Sequence, residues 1–259
     1  METNQSLETK VILKKITWQT FWVLAVGFTL YTAVLVPLYV QLNANVVYQN
    51  TPVCWLLYYA YNTVDLLVFF WVYAATVYGM YRGGLKASAP LLGVYGGMIV
   101  YKYVANYVVG SIIDGAFSDW TLFLRYDLPI LGGEMLLEVF QCAAVVALCA
   151  LVFRRRRTAA TAEAFPFEKM FCRSNPVQKA ALAAGCVIAL VRCVVLHLFY
   201  QFFLLVEVGE FEGWLVLSAD LVGDVLIGVI AYFVMILLLQ RFDGVAERIT
   251  QKTVVEDRA

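Results

Sequence analysis

The sequence predicts an all-α, polytopic membrane protein: a bundle of six transmembrane helices with both termini in the cytoplasm. Three observations predict it. Of 259 residues, 62% are hydrophobic and only 15% charged, whereas a soluble domain is nearer half apolar and a quarter charged. No Asp, Glu, Lys, Arg or His occurs from Ile16 to Val64. The Lys and Arg residues gather in alternate loops, the pattern that orients spanning helices. A transmembrane barrel would instead show segments of about ten residues with alternating polarity, and the chain has none.

The first apolar run follows Lys10, Lys14 and Lys15, as in a secretory leader. It extends over about 17–42 with no A-x-A site after it, so it reads as a retained spanning helix. A span needs about 20 mainly apolar residues. Five further segments qualify, at about 54–81, 87–112, 128–153, 180–205 and 213–240. They define a membrane domain over 16–241, with cytoplasmic tails at 1–15 and 242–259. With the N-terminus inside, sixteen of the nineteen Lys and Arg residues face the cytoplasm and only Arg125 faces out. The outer loops are acidic, with Asp114, Asp119 and Asp127 in one and Glu207, Glu210 and Glu212 in another. This arrangement expects a plasma or inner membrane location.

The basic run Arg154–Arg157 opens the one long cytoplasmic loop. It reads as a topology anchor touching anionic lipid, with a membrane or cytoplasmic partner subunit as the second reading. The bilayer is the expected partner, and no basic patch interleaved with aromatics suggests nucleic acid. No G-x-x-x-x-G-K-[ST] motif is present, and nothing in the chain calls for a cofactor. The six cysteines form no C-x-x-C pair and read as small, polarisable packing residues. Asp65–Arg82, Glu138–Arg154 and Asp224–Arg241 are spaced by 17, 16 and 17 residues. The flanking sequence does not align, so these spacings read as coincidence rather than as a threefold hairpin repeat.

Eight ionisable residues fall inside the spans: Asp65, Lys102, Glu134, Glu138, Arg192, His197, Asp220 and Asp224. A charge in hydrocarbon costs upward of about 2.5 kcal/mol and persists where it faces polar groups or water. At 1.5 Å per residue, the acids lie about 25 Å from the cytoplasmic arginines, in the outer half of a core about 30 Å thick. Glu134 and Asp220 lie a turn further out, peripheral to the rest. Residues three or four apart share a helical face. That rule aligns Asn62 with Asp65, Lys102 with Asn106, Glu134 with Glu138, His197 with Gln201, and Asp220 with Asp224. Their recurrence expects one acidic cavity reached from outside, lined by Asp65, Asn62, Lys102, Asn106, Glu138, Arg192, His197 and Asp224. Five acids outnumber the bases, so protons or a cation must balance them.

The function expected is binding or transport of a small polar, cationic solute by a non-enzymatic membrane protein. One alternative is an intramembrane metal-dependent hydrolase using Glu134, Glu138, His197, Asp220 and Asp224. A single histidine and the absence of H-E-x-x-H weigh against it. The other alternative is a structural or accessory subunit whose charges close into ion pairs, such as Asp65 with Lys102 and Arg192 with Asp224.

Overall fold

The computed structural model describes residues 2–48, 51–113, 128–154, 176–190 and 210–256. Among them, helix is the only regular secondary structure. Helix α1 spans Glu2–Leu30 and passes through a π-helical turn at Tyr31–Leu35 into α2, Val36–Ala44. Then come α3 (Pro52–Ile113), α4 (Leu128–Arg154), α5 (Pro176–Leu190) and α6 (Glu210–Glu256). Three stretches are long and apolar enough to cross a bilayer: Glu8–Ala44, Pro52–Gly110 and Leu131–Phe153.

As a straight rod, α3 would measure about 93 Å, three times the hydrocarbon thickness. Its 62 residues are broken at Gly84, where φ is 70° and ψ is −169°. That backbone region is open essentially only to glycine, so α3 is two arms joined at Gly84. The sequence-predicted spans at 54–81 and 87–112 lie on these arms, and the Arg82-Gly83-Gly84 turn joins them. Asp65, 19 residues before Gly84, meets Lys102, 18 residues after it. The arms therefore run antiparallel where those residues face each other.

Two helices reach beyond the apolar runs that mark the spans. α1 starts at Glu2 and is amphipathic ahead of the apolar run: Ile12, Leu13 and Ile16 are buried while Lys10, Lys14 and Lys15 are exposed. α6 likewise continues to Glu256, with Leu239, Phe242, Asp243 and Ala246 buried and Glu247 and Arg248 exposed. An apolar stripe at helical spacing sustains a helix after its polar face meets water.

The π-helical turn at Tyr31–Leu35 has two local causes. Thr32 Oγ1 donates to the Phe28 carbonyl at 2.7 Å, a back-bond that bends helices. Pro37 follows at the start of α2 and has no N–H to offer the preceding turn. A single widened turn absorbs both, and such turns recur at functional positions.

The chain forms two compact units. One comprises Met1–Ile12, Tyr73–Ala87 and Gln141–Ala259. Within it α5 packs on α6, Tyr81 meets Phe153, and Tyr78 meets Phe242. The other comprises Leu13–Val72 and Ser88–Phe140. There α1 lies against the first arm of α3. Trp71 Nε1 donates to Thr20 Oγ1 at 3.1 Å, and a Cβ on Gly27 would strike the Val68 side chain. Residues 68–80 of α3 are buried without interruption and carry no charge. The segments that the sequence assigns to an outer loop (114–127), to a cytoplasmic loop (155–175) and to the latter part of a fifth span (191–205) lie outside the described residues.

Candidate functional site

Three of the eight ionisable residues that the sequence places in spans come together in the second unit. Lys102 and Glu138 rise from the buried stripes of their helices, and Asp65 is part-buried on the first arm of α3. On the second arm of α3 the stripe reads Leu91, Tyr95, Ile99, Lys102 and Tyr103. On α4 it reads Glu138, Gln141, Val145, Cys149 and Phe153. The polar residues thus occupy core positions in an apolar pattern, and only mutual contact makes that burial tolerable.

Lys102 stands at the centre. Its Nζ lies 2.8 Å from Asp65 Oδ1 and 3.2 Å from Glu138 Oε1. Tyr103 donates its hydroxyl to the same Glu138 oxygen at 2.7 Å. The second Glu138 oxygen, Oε2, is buried without a hydrogen-bond partner among the described residues. Lys102 is 5% exposed and Glu138 7%. Four aromatic rings surround the ammonium: Phe69 at 4.8 Å, Tyr31 at 5.2 Å, Tyr103 at 5.3 Å and Phe28 at 5.5 Å from ring centre to Nζ. Their faces attract a cation, more strongly once it is desolvated, and they occupy the space a hydration shell would need. Tyr31 is held there by the π-helical turn.

Two carboxylates share one ammonium. With all three ionised the cluster carries one net negative charge in a dry setting, where an uncompensated charge is expensive. One proton or one monovalent cation restores neutrality. No group of three or more His, Cys, Asp or Glu residues gathers as a metal site among the described residues. A site for a hard divalent cation requires more oxygens than this cluster offers.

The other sequence-predicted residues fare differently. Asn62 shares the Asp65 face but donates its amide to the Tyr58 carbonyl of its own helix at 2.9 Å. Asn106 is half-buried one turn beyond Lys102, and Glu134 is half-buried one turn from Glu138. Asp220 and Asp224 lie on α6, with side chains outside the described set. Arg192 and His197 lie outside the described residues altogether. The expected Arg192–Asp224 pair therefore falls outside them too, and of the hydrolase ligand set only Glu134 and Glu138 have described side chains. The Asp65–Lys102 pair is present.

Sequence reasoning missed two things. One is Tyr103, which occupies the position beside Lys102 on the same buried stripe. The other is Asp243, which the sequence assigns to the cytoplasmic tail 242–259. It is buried in the first unit, accepting from Arg82 Nη2 at 2.6 Å and from the Tyr78 hydroxyl at 3.1 Å. Arg82 Nε donates to that same Tyr78 hydroxyl at 3.0 Å, and the guanidinium lies over the Tyr78 ring. The signal was periodic: Met235, Leu239, Phe242 and Ala246 are a helical stripe, and Asp243 lies within it.

No known protein family, curated protein or solved structure matches this chain. Fold and site together define an all-helical protein with helices of bilayer-spanning length and a buried cluster of two carboxylates and one ammonium.

Proposed function

We propose that this chain is a six-span integral membrane protein, with both termini cytoplasmic, that binds or transports a small cationic solute. The observation that carries the reading is the imbalance at Asp65, Lys102 and Glu138. A purely structural ion pair needs one acid, and the second acid creates a standing demand for one positive charge. Asp65 and Glu138 are the cation- or proton-accepting groups, and Lys102 is the fixed counter-charge. The solute enters from the outer face, where the outer loops are acidic. In support, the stretch 68–80 of α3, which follows Asp65 along the chain, is buried and uncharged.

Uptake of labelled small organic cations and alkali cations by reconstituted vesicles tests this reading. The wild-type chain accumulates at least one of them, and the variant carrying Asp65→Asn, Glu138→Gln and Asp224→Asn loses that uptake at least tenfold. Identical uptake by both proteins across the panel overturns it.

The second reading, an accessory subunit with a structural cluster, is favoured by the deep burial of Lys102 and Glu138. It predicts loss of stability in the variant with no solute-dependent signal in either protein.

A further inference from the structure

We infer that the exchangeable charge of the cluster is a proton carried on Oε2 of Glu138, with Asp65 remaining the ionised counter-ion of Lys102. This rests on the reading of the cluster as a cation- or proton-accepting site, and it names which group accepts and what it accepts.

The argument is geometric. Charge-assisted N–H···O bonds to a carboxylate are short, about 2.7–2.9 Å, and Lys102 to Asp65 is 2.8 Å. Lys102 to Glu138 is 3.2 Å, the long end of the ordinary range and longer than the contact to Asp65. Tyr103 donates to that same Oε1 at 2.7 Å, a length that a neutral or an ionised oxygen accepts. Oε1 takes both donors, the part a carboxyl's carbonyl oxygen plays when the proton sits on the other oxygen. Oε2 is buried and takes none among the described residues. A bare anionic oxygen there is much costlier than a hydroxyl.

The groups facing Glu138 agree with this assignment. Lys102 and Tyr103 come from the second arm of α3, Asp65 from the first arm, Tyr31 from the π-helical turn, and Glu134 from α4 itself. Lys102 is the one cation among them, and Asp65 already neutralises it. The rings of Phe28, Tyr31, Phe69 and Tyr103 pack round the Lys102 ammonium, and a proton bonded to Oε2 needs no hydration shell beside them. When Oε2 takes up a proton, the carboxylate becomes a neutral acid and the cluster becomes neutral; release to the outer solution reverses both changes.

Infrared spectroscopy of the reconstituted, full-length protein tests the assignment through the carbonyl band of a buried protonated carboxyl. The wild-type protein shows such a band at neutral pH. Glu138→Asp shifts it to a new frequency, while Asp65→Glu leaves it in place. A band that shifts with Asp65→Glu and not with Glu138→Asp overturns the inference, as does a spectrum in which neither variant moves any band. Should a variant fail to fold, wild-type protein treated with a hydrophobic carbodiimide and mapped by mass spectrometry serves instead. Adduct on Glu138 at more than tenfold the level on Asp65 supports the assignment. Equal or reversed labelling, or no labelling of either, overturns it. The band assigned to Glu138 together with no solute uptake leaves this inference standing and removes the transport reading. Uptake with the proton on Asp65 does the opposite.

Discussion

At the scale of single residues, Lys102 carries more of the account than any other. It is buried, holds two acids and is ringed by four aromatic faces. Replacing it with methionine keeps the volume and leaves Asp65 and Glu138 without a counter-charge. Breaking a buried pair from one side costs about 3–5 kcal/mol, so Lys102→Met is expected to unfold at markedly lower temperature or denaturant in detergent. Glu138→Gln retains an acceptor for Lys102 and Tyr103 and leaves the Asp65–Lys102 pair intact. Its stability is expected to fall within about 1 kcal/mol of wild type, the ordinary scale of one neutral hydrogen bond. Tyr103→Phe removes the donor to Glu138 and is expected to cost about 1–3 kcal/mol by the same measurement. The order of these three effects matters more than their sizes. A Glu138→Gln variant less stable than Lys102→Met would place the essential charge on the wrong residue.

At the scale of elements, two joints and one clamp position the site. Gly84 joins the arms of α3 in a conformation reserved for glycine. Gly84→Ala is expected to cost about 1–3 kcal/mol and to loosen the Asp65–Lys102 register, read as a lowered midpoint of thermal unfolding. Gly27 lets α1 lie against Val68, and Gly27→Val is expected to cost about 1–3 kcal/mol through overpacking. The clamp is Arg82 with Asp243 and Tyr78, which ties the C-terminal part of α6 to the first arm of α3 within one unit. A double-mutant cycle on Arg82→Met and Asp243→Asn is expected to return a coupling of about 0.5–3 kcal/mol, the range for residues in contact. A coupling indistinguishable from zero would reduce the clamp to a chance contact.

These elements also show what was legible in the sequence. Hydropathy and helical period made the helical class, the arms of α3 and the turn at Arg82-Gly83-Gly84 readable, because each is a local property of the chain. The Asp65–Lys102 pair was readable because opposite charges buried on neighbouring helices have few other partners. Tyr103 was not, because a tyrosine on a buried stripe looks the same whether its hydroxyl is idle or bonded. Asp243 was hidden by its neighbourhood: Arg241 beside it marks the end of the apolar run, and only the continued stripe through Ala246 reveals that it turns inward. The meeting of Glu138 with Lys102 is a tertiary fact that spacing within one helix does not encode.

At the scale of the whole molecule, the proposed arrangement places charge by depth and balances it with a mobile cation. The proposed orientation of six spans puts sixteen of the nineteen basic residues on one side. Single cysteines introduced at the two ends of the chain are expected to resist a membrane-impermeant thiol reagent in intact cells and to react once the membrane is opened, whereas a cysteine in the acidic segment 114–127 reacts from outside. The most direct measurement of the central claim is the thermal stability of the purified protein titrated with small cations and with pH, compared with Glu138→Gln. A ligand that binds only the folded state raises stability by RT ln(1 + [L]/Kd), about 2.7 kcal/mol at a hundredfold excess over Kd. The account predicts that protons or one of the small cations raises the wild-type unfolding temperature in a saturable way and that Glu138→Gln abolishes the rise. A titration that is flat for the wild-type protein, or a rise of equal size in the variant, contradicts it.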